Sequence, residues 1–227
     1  MSKRYYPVNL SIENRACLVV GGGAVAIRKV TSLLACGARV TVISPRAGDR
    51  LRSLAAAGEI EWIRRTYRSD DLASMFLVIG ATNDRQVNRR IYLDSERTGK
   101  LCNIVDQPDL CNFILPSVVR RGDLIISIST SGQSPAFAKK LRQDLETAYG
   151  DEYDRFLRLM GAVRKKLLGR SDPPEAHKAA FEKLIQKGLF ERIRNGERKC
   201  IDALLHEVLG DGFTYEELMG GVRKSEA

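Results

Sequence analysis

The chain has 227 residues, with 37 Lys and Arg against 28 Asp and Glu, 44% hydrophobic and 29% charged residues. This is the composition of a globular protein and excludes disordered and fibrous classes; the length suits one domain or two small ones. No apolar run approaches the ~20 residues that span a bilayer. The N-terminal stretch Met1 to Pro7 has no apolar core of a secretory signal. The five cysteines, Cys17, Cys36, Cys102, Cys111 and Cys200, are an odd number without a Cys-x-x-Cys pair. That argues against a disulfide framework and a structural zinc site, and for a reduced, cytoplasmic protein. The net charge of +9 is uneven: residues 1–135 carry 19 basic and 12 acidic side chains, residues 136–227 carry 18 and 16. No basic run is interleaved with aromatics, so neither nucleic acid nor a membrane is expected as partner. The excess suits a polyanionic small molecule as well as a solvated basic surface.

In chain order, Ala16–Val20 is a short apolar run ending in three glycines, the pattern of a buried strand. Val25 to Cys36 has helical spacing, with Gly37 where a helix-terminating glycine belongs. Arg39–Ile43 is a second strand, stopped by Ser44-Pro45; Asp49 to Ala57 is a short helix ending at Gly58. Glu59 to Arg64 and Leu77 to Ala81 are strand-like, Asp84 to Thr98 is helical and ended by Gly99, and Leu101 to Val105 is a further strand. This alternation predicts an α/β fold with a parallel, doubly wound, Rossmann-type sheet. Asp123 to Thr130 is another strand, after the turn Arg121-Gly122, and Phe137 to Tyr149 is a helix. From about residue 151 the pattern is helical, with breaks at Gly169–Pro174, Gly188, Gly196 and Gly210–Gly212 and a frayed tail from Gly220. The amphipathic stretches are Tyr153 to Leu168 and Phe181 to Ile193.

Gly21-Gly22-Gly23-Ala24-Val25-Ala26 matches the dinucleotide fingerprint G-x-G-x-x-G/A, between a predicted strand and a predicted helix as that motif demands. Gly21 allows the tight turn, Gly23 lets backbone approach a pyrophosphate, and Ala26 permits close helix–strand packing. The helix N-terminus then offers free N–H groups and a positive dipole end to the phosphates. The acid that usually ends the second strand and binds the ribose is missing. Ser44, Pro45 and Arg46 stand there instead, with Asp49 a late candidate. Ser44 suits a ribose hydroxyl and Arg46 a 2′-phosphate, so these residues leave NAD and NADP both open. Three polar segments close predicted strands: Ala81-Thr82-Asn83-Asp84, Asn103 to Pro108, and Ser129 to Pro135. Because ligands in open α/β sheets sit at the carboxyl ends of strands, the three are expected to line one crevice. Ser134 before Pro135 also reads as a helix cap. His177 and His206, 29 residues apart, lack ligand spacing, and no metal ligand is assigned.

Taken in order, Gly21 to Ala26 with Arg28-Lys29, Ala81 to Asp84 with Val87-Asn88, Asn103-Ile-Val-Asp106-x-Pro108, Phe113-Ile-Leu-Pro116, and Ser129-Thr130-x-Gly132-x-Ser134-Pro135 resemble a known family. It is the precorrin-2 dehydrogenase and sirohydrochlorin ferrochelatase family, the N-terminal module of siroheme synthase. The resemblance covers residues ~5–150 by motif and the rest by layout. It implies a Rossmann domain over 1–115, a dimerisation region over 116–150 and a helical domain over 151–227, assembled as a homodimer. It implies NAD-dependent dehydrogenation of precorrin-2 to sirohydrochlorin, with Fe²⁺ insertion as the family's second activity; no motif separates bifunctional members from dehydrogenases alone. Precorrin-2 carries eight carboxylates, which gives the basic excess a purpose. Asp106 matches the family's catalytic aspartate and suits a general base. Gly21, Gly22, Gly23, Ala24, Val25, Ser44, Pro45, Arg46, Ala81, Thr82 and Asn83 fall to the cofactor. Asn103, Pro116, Thr130, Ser131, Gly132 and Ser134 fall to the tetrapyrrole; Thr130 stands where the family often has serine. The rival reading is a nucleotide-sensing regulatory domain, which also begins with a glycine motif but normally keeps the strand-end acid.

Overall fold

The computed structural model describes residues 4–169 and 173–220, and the chain divides into two compact units, Met1–Leu115 and Pro116–Ala227. In the first, β1 (Ala16–Val20), α1 (Ala24–Leu34), β2 (Arg39–Ile43), α2 (Asp49–Ala56), β3 (Ile60–Ile63), β4 (Leu77–Gly80), α3 (Arg85–Thr98) and β5 (Leu101–Ile104) follow one another. The five strands form one parallel sheet in the order β3-β2-β1-β4-β5, the doubly wound arrangement the alternation predicted. Both faces are covered, so the strands read as nearly continuous apolar runs. Cys17, Val19, Val40, Val42, Leu77 and Ile79 pack on one face with Ala26, Val30, Leu51 and Leu54. Leu18, Val20, Ile43, Val78, Cys102 and Ile104 pack on the other with Ile91, Tyr67 and Leu72.

Register positions the site. Val20 pairs with Ile43 on one side and Gly80 on the other, and Gly80 pairs with Ile104. The first residues past β1, β2, β4 and β5 therefore leave the sheet at one level. The strand order reverses between β1 and β4, the switch point where such sheets bind ligands.

The second unit begins with β6 (Ser117–Arg121) and β7 (Leu124–Ile128), an antiparallel hairpin separate from the parallel sheet. This adds one strand to the expected elements: Ser117–Arg121 is not legible in the sequence, because Arg120 and Arg121 break its apolar pattern. The segment after β7, Ser129 to Pro135, closes a strand of this hairpin and not of the parallel sheet. α4 (Pro135–Ala148) starts two residues earlier than its apolar spacing suggested, because Pro135 sits at its first turn and Ser134 Oγ accepts from Phe137 N at 3.3 Å. Arg121 donates from Nε to Tyr149 O and from Nη2 to Glu146 O, both at 2.7 Å, capping the C-terminal turn of α4.

Then α5 (Glu152–Leu168), α6 (Pro174–Gln186), α7 (Leu189–Asn195), α8 (Arg198–Leu209) and α9 (Tyr215–Gly220) enclose their own core. It includes Leu159, Val163, Leu184, Leu189, Ile193, Leu205 and Phe213. The stretch Phe181 to Ile193 is two helices, because Gly188 takes the left-handed conformation between them (φ 76°). The predicted tail beyond Gly220 lies outside the described residues. No helix among the described residues is long and apolar enough to cross a membrane.

Candidate active site

The glycine turn is shaped by its neighbours at two positions and by nothing at the third. Gly21 has φ 133°, and a Cβ there would lie 2.3 Å from Ala81 O; a Cβ on Gly22 would lie 1.9 Å from Arg46 O. These two glycines let the turn nest between the ends of β4 and β2, joined to the latter by Gly21 N to Ile43 O and Gly48 N to Gly22 O, each 3.0 Å. Gly23 is different. Its φ of −90° is open to any residue, and a Cβ would meet nothing within 4 Å. It is the N-cap of α1, makes no side-chain cap, and no acid occupies the first turn. Gly23, Ala24 and Val25 thus border open space in front of unpaired N–H groups at the positive end of a helix. A side chain at Gly23 would fill that cradle, which fits a dinucleotide pyrophosphate.

At the end of β2, Ser44 is buried and donates Oγ to Arg46 O at 2.6 Å, while Trp62 Nε1 donates to Ser44 O at 3.0 Å. The Ser44 proton is thus used within its own loop, and only the lone pairs of that oxygen remain for a ribose. Pro45 and Arg46 are exposed beside it. Asp49 is also exposed and is ion-paired with Arg52. At the end of β4, Ala81 and Thr82 are half-buried and Asn83 is exposed. Asp84 caps α3, accepting from Gln86 N at 2.9 Å and Val87 N at 3.1 Å, and Asn88 Nδ2 donates to Thr82 O at 3.0 Å. The loop is therefore pinned from the helix that follows it.

Asp106 follows β5 by two residues. It is exposed, and it adopts φ 59°, a left-handed conformation that Asp tolerates better than most side chains. Its carboxylate has no hydrogen-bond partner among the described residues, so it does not serve an Asx-turn before Pro108. Beneath it the chain is tied down. Cys111 Sγ accepts from Ile104 N at 3.2 Å and donates toward Gln107 O at 3.2 Å and Ile104 O at 3.3 Å. Asn112 Oδ1 accepts from Cys102 N at 2.8 Å and its Nδ2 donates to Lys100 O at 2.8 Å. Asn103, expected at the tetrapyrrole, is buried and donates Nδ2 to Phe113 O at 3.0 Å, an internal brace of the same segment. Burial pushes the Cys102 thiol up to about 11, which keeps it neutral and unlike a metal-binding thiolate.

Sequence reasoning quoted Lys29 with the glycine motif but gave it no role. It sits half-buried on α1, and burial and then Arg28 lower its pKa while the Asp106 charge acts in the opposite sense. The glycine-loop helix thus carries an ammonium whose titration responds to the Asp106 charge. The signal was a lysine inside the apolar spacing of α1, between Ile27 and Val30.

The remaining expected residues belong to the second unit. Pro116 opens it, half-buried. Thr130 to Gln133 form a turn with Gln133 N donating to Thr130 O at 2.9 Å and positive φ at both Ser131 (50°) and Gly132 (81°), the geometry of a type I′ turn. Thr130 Oγ1 accepts from Ser134 N at 3.2 Å. Among the described residues, no three His, Cys, Asp or Glu side chains gather as a metal site.

A parallel sheet with a ligand-ready glycine turn and an exposed, conformationally forced carboxylate on the same edge defines a dinucleotide-dependent enzyme domain. Residues 8–117 match the NAD(P)-binding family model, and residues 121–148 match the model for the central part of sirohaem biosynthesis proteins. The chain is 36% identical over 214 residues to siroheme synthase of Nitrosococcus oceani, covering 94% of this chain and 46% of that protein. It is also 36% identical over 221 residues to siroheme synthase of Thioalkalivibrio sulfidiphilus, covering 96% and 45%. A solved structure titled SirC, precorrin-2 dehydrogenase superposes with a TM-score of 0.71 at 28% identity, over 80% of this chain and 89% of that one. The chain is thus similar to enzymes of siroheme biosynthesis, and its first unit is an NAD-binding Rossmann domain. It spans just under half the length of the siroheme synthases it matches.

Proposed function

We propose that this chain oxidises precorrin-2 to sirohydrochlorin with NAD and, as a second activity of the same site, assists Fe²⁺ insertion into the product. The observation that carries the reading is Asp106: an unpartnered carboxylate held in a left-handed turn, on the sheet edge that also carries the glycine cradle. Gly21, Gly22, Gly23, Ala24 and Val25 hold the pyrophosphate through backbone N–H groups; Ser44, Pro45 and Arg46 border the adenosine ribose; Ala81, Thr82 and Asn83 border the nicotinamide half. When bound, NAD supplies the hydride acceptor. Asp106 takes the proton that leaves the macrocycle in the same oxidation, and in chelation it takes pyrrole N–H protons as Fe²⁺ enters. Lys29 keeps the local field positive as the carboxylate faces a polyanionic substrate. Asn103 serves the substrate by bracing the Asp106 turn, and Pro116, Thr130, Ser131, Gly132 and Ser134 contact the tetrapyrrole.

The same reading makes residues 116–150 a dimerisation region and 151–227 a helical domain, in a cytoplasmic homodimer. The exposed apolar side chains Val118, Ile125 and Phe137 in the first of these, and five free cysteines, support it. The test is anaerobic turnover of enzymatically made precorrin-2, followed by absorbance with NAD or NADP and then with Fe²⁺. Conversion with NAD is expected, followed by metal insertion above the rate without enzyme. Absence of conversion with either nucleotide would overturn the reading in favour of nucleotide sensing.

A further inference from the structure

α3 carries four arginines, and the fold treats them in two ways. Asp94 takes Arg97 at 3.1 Å and Arg90 at 4.0 Å. Among the described residues, no carboxylate lies within ion-pair distance of Arg85 or Arg89, and neither guanidinium makes a hydrogen bond. Both placements work against the helix. Arg85 is the first residue of α3, where the dipole disfavours a cation. Arg89 stands four residues on, so two like charges share one face. Local rules broken without a compensating contact mark sites that function maintains.

The two guanidiniums line a cavity of about 450 Å³ with Tyr92 and Leu93 of α3 and with Gln107 and Leu110. Gln107 follows Asp106 in sequence, so the segment that carries the proposed base also supplies part of the cavity wall. Its wall is mixed: Leu93, 55% exposed, stands with two cations that no carboxylate neutralises. That combination fits a ligand with an apolar ring edge and carboxylate arms, and arginine's planar fork matches a carboxylate with two parallel hydrogen bonds.

We propose that this cavity is a carboxylate subsite for the tetrapyrrole, with Arg85 and Arg89 each binding one acidic arm while Tyr92 and Leu93 cover the adjoining ring edge. The proposal rests on the dehydrogenase reading and assigns the substrate's orientation to residues outside the glycine and Asp106 motifs. Holding two arms here fixes which edge of the macrocycle faces Asp106.

The test compares wild type, Arg85→Gln, Arg89→Gln, the double variant, Arg89→Lys, and Arg194→Gln as a control for net charge. Affinity for sirohydrochlorin is read by absorbance titration at two salt concentrations, KM and kcat with precorrin-2 by turnover, and NAD affinity separately. The double variant is expected to lose a factor of roughly 5–30 in sirohydrochlorin affinity, with a flatter salt dependence. KM should rise accordingly, with NAD affinity and melting temperature unchanged. Arg89→Lys should recover part of the loss, and Arg194→Gln should match wild type. Unchanged affinity in the double variant, or an equal loss in Arg194→Gln, would overturn the subsite while leaving the dehydrogenase intact. A wild type that binds NAD but neither binds sirohydrochlorin nor oxidises precorrin-2 would instead remove the dehydrogenase reading, and this subsite with it.

Discussion

Gly23→Asp separates cofactor chemistry from folding, because the two respond with opposite signs. Gly23 is the N-cap of α1 at φ −90° and ψ −172°, in the extended region that a capping aspartate adopts, and a Cβ there meets no atom within 4 Å. Asp is a better N-cap than Gly by a few tenths of a kcal/mol. A carboxylate at a helix N-terminus adds about 0.3–1 kcal/mol. Losing glycine's freedom in the unfolded chain adds about 0.4–1 kcal/mol. The variant is therefore expected to be more stable by about 1–2 kcal/mol, a rise in melting temperature of about 2–4 °C per kcal/mol for a chain of this size. NAD should bind far more weakly, since the new carboxylate occupies the phosphate cradle and repels its charge. Each hydrogen bond lost from a charged ligand weakens binding by about 1.5–3 kcal/mol, or roughly 10- to 150-fold. Differential scanning fluorimetry without nucleotide and titration of NAD by intrinsic fluorescence measure the two effects. Gly22→Ala is the contrast: its Cβ would strike Arg46 O, so folding itself should weaken by about 1–3 kcal/mol. Undiminished NAD affinity in Gly23→Asp would refute the cradle, and a melting temperature well below wild type would show that the glycine serves the fold.

Asp106→Asn keeps the left-handed turn, which Asn also tolerates, and should keep NAD affinity while lowering dehydrogenase turnover by about 10²–10⁴-fold; near-normal turnover would remove the general base. Tyr67→Phe deletes a buried hydroxyl that burial and Asp94 hold protonated and that donates to Asp94 Oδ2 at 3.0 Å, so unfolding by denaturant should show a loss of about 1–3 kcal/mol with NAD affinity unchanged. Burial alone would raise the Asp71 carboxyl, but the Arg65 fork at 2.6 and 2.9 Å, with Arg68 N at 2.7 Å, outweighs it and holds the group below its usual value. A lowered folded pKa means stability that is present above about pH 4 and lost as pH falls through the folded value. Arg65→Gln should thus be less stable than wild type at pH 7 and lose less on acidification, checked by denaturant unfolding at both pH values.

The parallel sheet was legible because its strands are short apolar runs bounded by glycines and separated by helical spacing, as in Ala16–Val20 and Leu77–Gly80. The glycine turn and Asp106 were legible as motifs, but the reasons for individual residues were not. That Gly22 exists to clear Arg46 O is a contact between loops 24 residues apart in sequence, which no local pattern encodes. Ser117–Arg121 was not legible because its inward face carries a single apolar side chain, Val119, between Ser117 and Arg121; the burial alternates half-buried, exposed, buried, exposed, half-buried, but the residue types do not. Which strand β7 pairs with is left open by the sequence, and its partner is β6. Pairing partners are a long-range property that composition does not carry. The free state of Arg85 and Arg89 could not be read either, since Asp94 is within helical reach of Arg90 and Arg97 and only geometry shows which cations it takes.

The Asp106 turn makes a last test of how the site is held. A left-handed non-glycine residue stays put only where its surroundings impose it, and most of the restraints here come from residues 100–113, with Val105 N donating to Gly80 O at 2.9 Å besides. Asn112 carries the largest share outside the buried core: it accepts from Cys102 N, donates to Lys100 O at 2.8 Å in each case, and reaches Glu96 at 3.3 Å. Cys102 is fully buried, so Asn112→Ala leaves its N–H without this partner and should destabilise the first unit by about 1–3 kcal/mol. It should also loosen the turn above it, because the return of the chain to β5 at Asn112 N to Cys102 O, 3.1 Å, loses its side-chain support. The expected signature is a fall in kcat for precorrin-2 larger than any change in NAD affinity, since the glycine cradle on β1 is braced by β2 and β4 and not by this segment. Measured below its own melting temperature, a variant with reduced stability but wild-type kcat would show that the carboxylate's position does not depend on the brace. A parallel loss of NAD affinity would show that the edge of the sheet moves as one piece.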